Sequence, residues 1–208
     1  MGKKNIFAFL VCFSMMLGCA GNSVKDFNKK LDQLDKKGIV LATVTFENKI
    51  DKTNTLQPGA FVMSDPSDHA EQEYALYGSD HFRVLTDDKK IWLIVLQLNE
   101  GNYFLSSVRG VVLGGFFIPV FEAPIGKDLQ SKDNEIVYIG SIHLVLRKKL
   151  SKEEKSAGIF VAGHIIHQVA IAGATIDVTI NDKYQKDMKE FEKVFPNIKG
   201  YSIEKRIL

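Results

Sequence analysis

Hydrophobic and polar residues follow two different periods along this chain, and the change of period marks its elements. From Ile39 onward, short apolar runs mostly alternate with polar positions, which is the two-residue period of a strand with one buried face. Such runs cover residues 39–46, 60–63, 80–85, 103–108, 136–147, 159–171, 175–180 and 201–208. The run from Ile91 to Leu98 is apolar at nearly every position, which predicts a central strand buried on both faces.

Two other segments show the three- and four-residue spacing of amphipathic helices. In the first, the apolar stripe consists of Val24, Phe27, Leu31 and Leu34. In the second, it consists of Tyr184, Met188, Phe191 and Phe195. We expect the first helix to end before Gly38 and the second before Pro196, and Asp182 with Gln185 has the spacing of a capping box. We expect the first stripe to pack on the domain; contact with lipid is the alternative.

The order of these elements predicts a mainly β protein. Many short strands with turn signals between them are typical of an antiparallel β-sandwich, here with an N-terminal and a C-terminal helix. The chain shows no internal repeat and no linker long enough to divide it. We therefore expect residues 39–208 to form a single β-sandwich domain with a C-terminal helix, large enough to bury its own core.

The first 18 residues have the parts of a secretory signal peptide. Lys3 and Lys4 precede an apolar run from Ile6 to Leu17, and Gly18-Cys19 follows where that run ends. The run is shorter than the roughly 20 residues that a membrane-spanning helix needs. We therefore interpret residues 1–18 as a cleaved signal and not as a permanent anchor.

The segment Met16-Leu17-Gly18-Cys19 resembles the lipobox of bacterial lipoproteins. The resemblance implies cleavage between Gly18 and Cys19, lipid attachment at Cys19 and anchoring to a membrane of the cell envelope. Ala20 after the cysteine implies the periplasmic face of the outer membrane in a Gram-negative source; a Gram-positive source would place the protein on the outer leaflet of the plasma membrane. Residues 19–38 would then be a lipidated tether and amphipathic helix. The alternative is an ordinary cleaved signal in which Cys19 has no role.

A second resemblance concerns the domain. Leu98-Asn99-Glu100-Gly101-Asn102-Tyr103, followed by Val137-Tyr138-Ile139-Gly140-Ser141-Ile142, resembles the pattern of prealbumin-like β-sandwich domains in small bacterial lipoproteins, many of unknown function. It covers residues 39–148, implies a prealbumin- or Ig-like sandwich and supplies no catalytic residue. Independently of it, Gly101 is expected at a turn with positive φ, and Tyr103 as a buried ring whose hydroxyl bonds backbone at a sheet corner.

Charge and cysteine content exclude several classes of partner and site. Lys3 and Lys4 lie in the signal, so cleavage reduces the 27 basic residues to the number of acidic ones, 25. Arginine is scarce, which argues against nucleic acid as a partner. Cys12 and Cys19 are the only cysteines, so the mature chain has no thiol pair for a disulfide or a cysteine-based metal site.

Two polar groupings contain residue types used in catalysis or metal binding. Gly78-Ser79-Asp80-His81 places three triad residue types side by side, but neighbours on a strand point to opposite faces. Asp65, Asp68 and Glu71 are acidic but lack the order of a calcium-binding EF-hand loop. We interpret the first as a turn entering a strand and the second as a solvated loop.

The histidines give no stronger signal. His164 and His167 have the spacing of neighbours on a helix face, but a zinc site needs further ligands and their apolar context favours a strand. His69 and His143 stand alone in polar sequence and are expected at the surface. We therefore assign no catalytic residue, no metal ligand and no cofactor.

The apolar run from Val111 to Phe121, interrupted by glycines, allows two interpretations. A core strand bent at its glycines is favoured. An apolar rim that contacts a partner or ligand through Phe116 and Phe117 is the alternative. We expect a non-enzymatic, lipid-anchored binding or structural module, with envelope proteins as candidate partners. The alternatives are a hydrolase acting on envelope polymers and a carrier of a small apolar ligand.

Overall fold

The computed structural model describes residues 25–52, 55–64, 71–75, 81–86, 89–113, 119–161 and 173–208, and within them the chain is mainly β. Helix α1 covers residues 25–31 and α2 covers Tyr184–Val194, followed by a 3-10 turn at Pro196–Gly200. The strands are β1 Gly38–Asn48, β2 Thr55–Ser64, β3 Glu71–Ala75, β4 His81–Thr86, β5 Lys89–Leu98, β6 Gly101–Leu113, β7 Pro119–Ser131, β8 Ile136–Lys148, β9 Gly158–Val161, β10 Ala174–Asn181 and β11 Ile203–Lys205. None of the described helices is long and apolar enough to cross a membrane.

The described strands form two sheets. Sheet A has the order β10-β8-β1-β5-β4, and β11 also pairs with β8. Sheet B has the order β3-β2-β6-β7-β9. Side chains from both sheets share one buried cluster, to which Val44, Phe61, Trp92, Leu105 and Ile142 belong. The main core therefore lies between the sheets.

The other face of sheet A is covered by the two helices. Phe27 of α1 and Phe191 of α2 are fully buried there against Leu41 and Leu93. In β5, Ile91, Leu93 and Val95 face the helices while Trp92, Ile94 and Leu96 face sheet B. This double burial confirms the interpretation of β5 as a central strand, and the described chain forms three layers: helices, sheet A and sheet B.

The expectation of a wholly antiparallel sandwich is wrong for sheet A. All pairs in sheet B are antiparallel, but β1 and β8 are parallel, as are β11 and β8. Parallel neighbours need a long crossover connection. The connection between β1 and β8 contains strands of both sheets, β2 to β7, and α2 lies in the connection between β8 and β11. The alternation of apolar and polar residues reports burial and not strand direction, so it could not reveal this.

A β-bulge in β8 changes which side chains face the core. Ile139 and Gly140 lie opposite the single residue Ala42, because the register shifts between Leu41 and Thr43. Before the bulge, Val137 and Ile139 point between the sheets. After it, the residues that do so are Ile142, Leu144 and Leu146. Gly140 has a φ of 123°, which L side chains rarely adopt.

Three local expectations are corrected by the structure. Gly101 is the first residue of β6 and is not among the described glycines with positive φ, which are Gly126 and Gly140. Glu71 lies in edge strand β3 and not in a loop, since the strand pairs with β2. In α2 the N-cap is Lys183, which makes no side-chain capping bond. Asp182 instead accepts a bond from the Tyr184 N–H and pairs with Lys205, so the capping box with Gln185 does not form.

Candidate functional site

Most of the candidate site residues identified in the sequence lie outside the described part of the chain. This holds for the proposed lipid-attachment junction Gly18-Cys19, the candidate contact residues Phe116 and Phe117, the pair His164 and His167, and His69, Asp65, Asp68, Ser79 and Asp80. His81 begins β4. The structure therefore tests the domain itself more than these positions.

Within the described residues, an open groove lies where β2, β6, β7 and the C-terminal segment meet. Its volume is about 570 Å³, within the range typical of ligand pockets. Its lining consists of Ser64, Asn102, Tyr103, Phe104, Asp128, Leu129, Gln130 and Arg206. We call this surface the Phe104 groove.

Phe104 is the exposed apolar side chain of the groove. It is 44% exposed, whereas its neighbours Tyr103 and Leu105 are 3% and 0% exposed. Because successive residues of a strand point to opposite faces, Tyr103 and Leu105 enter the core and Phe104 points outward from sheet B. Three consecutive apolar residues in an otherwise alternating strand were the only sequence signal for this position.

Tyr103 holds the turn beside the groove. Its ring is packed edge-to-face against Tyr74, with ring centroids 6.3 Å apart. Its hydroxyl donates to the carbonyl oxygen of Asn99 at 3.1 Å. The predicted bond from a buried tyrosine to the backbone at a sheet corner is thus confirmed, and it fixes the start of β6.

Arg206 lines one side of the groove, and its positive charge is paired with Glu135 and Glu204. It donates to the Gln130 carbonyl oxygen at 3.0 Å, to Glu135 at 2.9 Å and to Glu204 at 2.7 Å. These bonds attach the C-terminal segment to the end of β7. The groove therefore offers an aromatic ring bordered by amide, hydroxyl and carboxylate groups, which suits a ligand with both apolar and polar parts.

Three further polar clusters lie outside the groove. Thr45 Oγ1 lies 2.9 Å from Nδ1 of His143, and Glu47 lies 3.8 Å from Nε2 of the same ring. These residues come together through the unforeseen parallel pairing of β1 and β8, so His143 does not stand alone as its sequence context suggested. The carboxylate of Glu47 is beyond hydrogen-bond distance, so the cluster lacks the oriented base of a triad.

The second cluster is on sheet B, where Glu122 accepts bonds from Ser107 at 2.7 Å and from Arg109 at 3.2 Å. In the third, Arg147 donates to Asp177 at 2.6 Å and to Glu154 at 2.9 Å. The Arg147 guanidinium holds the pKa of Glu154 at about 2. Among the described residues, no three His, Cys, Asp or Glu side chains are grouped so that they could hold a metal ion.

A buried polar cluster joins sheet A to α2. Thr43 and Tyr138 both donate to Oδ2 of Asp187, at 2.5 and 2.6 Å. Tyr138 is 0% and Asp187 is 2% exposed. Burial, and then the bond to the Asp187 carboxylate, raise the pKa of the Tyr138 hydroxyl well above its ordinary value. These groups are almost completely buried, and their bonds attach the helix to the sheet.

Comparison with known proteins does not assign the chain to a family. No protein-family model matches it, and neither curated proteins nor solved structures give a significant match. A function for this chain therefore has to follow from its own residues and their contacts.

Proposed function

We propose that this chain is a non-enzymatic, lipid-anchored module of the cell envelope that binds a partner through the Phe104 groove. The observation that carries the proposal is the exposed ring of Phe104 in a polar groove, on a domain whose two sheets share one buried cluster of side chains. Aromatic side chains bordered by polar groups are enriched in binding surfaces, which supports this role for Phe104. The described clusters offer no nucleophile with an oriented base.

The anchoring part of the proposal rests on the lipobox-like segment ending at Cys19. Two acyl chains hold a protein firmly to a membrane, where one binds reversibly. Helical structure is already present at residue 25, so the tether after Cys19 has a reach of roughly 20 Å at most. Such a short tether keeps the domain close to the lipid and raises its effective concentration for partners on the same surface.

We further propose that the domain is a prealbumin- or Ig-like sandwich. The shared core between two sheets and the Tyr103 hydroxyl bond to Asn99 support this assignment. The parallel pairing of β1 with β8 is a difference from the antiparallel pattern that the resemblance implies.

The anchor is tested by the mass of the N-terminal peptide of protein extracted from its native membrane. We expect a peptide that begins at Cys19 and carries acyl chains, and we expect Cys19→Ser to be released or left unprocessed. An unmodified N-terminus at another position would contradict the anchor.

The groove is tested by photocrosslinking in intact cells, with a benzophenone side chain in place of Phe104. Leu150 is the matched control, since it is an exposed apolar residue at 84% exposure and lies outside the groove. We expect a product of defined mass from position 104 and not from position 150. Equal crosslinking from both positions would contradict a specific partner at the groove.

A further inference from the structure

The solvent face of α2 is basic, although the helix also contains acidic residues. Lys186, Lys189 and Lys193 are exposed, and their spacing of three and four residues places them on one stripe of the helix. The acidic residues Asp187 and Glu190 of the same helix are instead 2% and 6% exposed. We call the three exposed residues the lysine face.

Little of this charge is neutralised by neighbours. Lys193 pairs with Glu190 at 2.8 Å. Lys186 and Lys189 form no ion pair with the residues that the structure describes. Lys199, just beyond the helix, is exposed and lies 3.6 Å from Glu192. Burial of Asp187 and Glu190 leaves Glu192 as the partly exposed acidic residue of α2, so the lysines make the solvent face of this helix positive, on a chain whose 27 basic and 25 acidic residues nearly balance.

The lysine face lies in the same layer as the segment that follows the proposed anchor. The Phe27 and Phe195 ring centroids are 4.1 Å apart, and Asn197 donates to Asn28 at 3.1 Å, so α1 contacts the C-terminal end of α2 and the turn after it, on the same face of sheet A. The 11 residues of α2 extend about 16 Å. A tether with a reach of roughly 20 Å is long enough for this layer to meet the membrane surface.

We infer that the lysine face lies against anionic phospholipid headgroups and sets the orientation of the domain on its membrane. The inference rests on the proposed lipid anchor, which brings the surfaces together. Each lysine near an anionic surface favours contact on the order of fivefold, so the three together favour it on the order of 100-fold. With the helices toward the lipid, the outward-pointing Phe104 of sheet B faces away from the membrane and stays accessible.

The inference is tested on the mature lipidated protein, reconstituted into phosphatidylcholine vesicles with or without phosphatidylglycerol. Amine labelling, followed by mass spectrometry, reports the exposure of each lysine. We expect labelling of Lys186, Lys189 and Lys193 to be several-fold slower on vesicles that contain phosphatidylglycerol than on those that do not. High salt should remove this difference. Lys127 on β7 and Lys152 after β8 are exposed controls that should label equally on both. Equal labelling of the lysine face on both kinds of vesicle overturns the inference.

A triple variant, Lys186→Gln with Lys189→Gln and Lys193→Gln, separates charge from shape. We expect the protection of Lys199 by anionic vesicles to be lost in this variant. The matched control changes three exposed lysines elsewhere to glutamine, namely Lys148, Lys152 and Lys155. Protection that survives in the first variant, or that is lost in the second, contradicts an orientation set by the lysine face.

The lipid anchor has a separate readout in the same samples. Retention on phosphatidylcholine vesicles after a high-salt wash reports the acyl chains, because the lysines find no anionic partner there. Retained protein with equal labelling overturns the inference and leaves the anchor intact. Protein that washes off contradicts the anchor, and its labelling on anionic vesicles at low salt still tests the lysine face.

Discussion

The Asp187 carboxylate shows how much can depend on one buried group. Its Oδ2 accepts bonds from the hydroxyls of Thr43 and Tyr138, which belong to different strands of sheet A. A buried hydroxyl or carboxylate without a partner costs about 1–3 kcal/mol. The cluster therefore restricts where α2 can sit on a surface that is otherwise apolar and would allow it to slide.

Tyr138→Phe is expected to change the response of the protein to alkali. The raised pKa of Tyr138 means that the folded state keeps this proton where the unfolded state loses it. Its contribution to stability is present below the ordinary tyrosine pKa of about 10 and falls as the pH rises through it. Near neutral pH, the variant should be about 1 kcal/mol less stable to unfolding, because it lacks the hydrogen bond from Tyr138 to Asp187.

Above a pH of about 10, the free energy of unfolding of the wild-type protein should fall more steeply with pH than that of the variant. The difference in slope is up to about 1.4 kcal/mol per pH unit. Urea denaturation of both proteins at several pH values measures this difference. Parallel curves of unfolding free energy against pH would show that Tyr138 ionises equally in both states.

Single residues were predictable where one physical requirement determined them. The ring of Tyr103 and its hydroxyl bond followed from an apolar position carrying a donor beside a turn. Gly101 was wrongly assigned a positive φ because a glycine at a turn can also be the first residue of a strand. Phe104 and Arg206 were missed, since the groove brings together strand ends that are far apart in sequence.

At the scale of elements, the strands that could be predicted are those with regular alternation or continuous apolar character. β7 was not predicted as a strand of its own. Its first residues were joined with the end of β6 in the run from Val111 to Phe121, and Pro124 and Gly126 interrupt the pattern beyond it. The structure explains the proline: β7 pairs with β9 only from Pro119 to Glu122, so Pro124 lies where one edge of the strand has no partner among the described strands. Strand direction in sheet A was not encoded in the alternation at all.

Gly140→Ala is expected to destabilise the bulge in β8. A Cβ at this position would lie 2.8 Å from Cγ2 of Ile180, on a residue with a φ of 123°. Backbone strain of this kind costs about 1–3 kcal/mol, and steric contact adds to it. Gly200→Ala is the control, since a methyl group added there would meet no neighbouring atom within 4 Å.

The two variants are compared by urea denaturation. The control should stay within about 0.5 kcal/mol of the wild-type protein, as surface substitutions usually do. Equal stability of the two variants would mean that the bulge tolerates a side chain and that strain at Gly140 is relieved elsewhere.

For the whole molecule, the important feature is that sheet A is shared by two cores. β5 contributes one set of side chains to the helix side and the other set to the space between the sheets. Loss of either layer would expose one face of the same strands. The three layers are therefore expected to unfold together as one cooperative unit.

Phe27→Ala tests this coupling. Phe27 is 0% exposed, on the helix side of sheet A, and such a truncation costs about 3–5 kcal/mol. Trp92, the single tryptophan, lies on the opposite face in the core between the sheets. We expect its fluorescence and the far-ultraviolet circular dichroism to shift to the same lower denaturant midpoint. Leu150→Ala, at a residue 84% exposed, should leave both unchanged.

Separate transitions for the two signals would show that the helical layer unfolds independently of the sheets. In that case the damage from Phe27→Ala would stop at α1 and α2, and Trp92 would keep its wild-type midpoint. The sequence alone predicts the burial of Phe27 and the presence of the second helix. Coupled unfolding of the helices and the sheets depends on burial of both faces of sheet A, and the strand order of that sheet could not be predicted.

The bulge at Gly140 also has a consequence for how this gene can change. Deletion of that one codon would leave regular alternation in β8, because Ile139 and Ile142 would then be two positions apart and would still face the space between the sheets. Deletion of a later codon such as that of Ile142, with the bulge kept, would instead exchange the two faces of the rest of the strand and turn His143 and Arg147 into the core. Loss of the Gly140 codon should therefore be less damaging than loss of a codon further along β8, and variation in chain length should be tolerated at the bulge and in the turns before it is tolerated elsewhere in this strand.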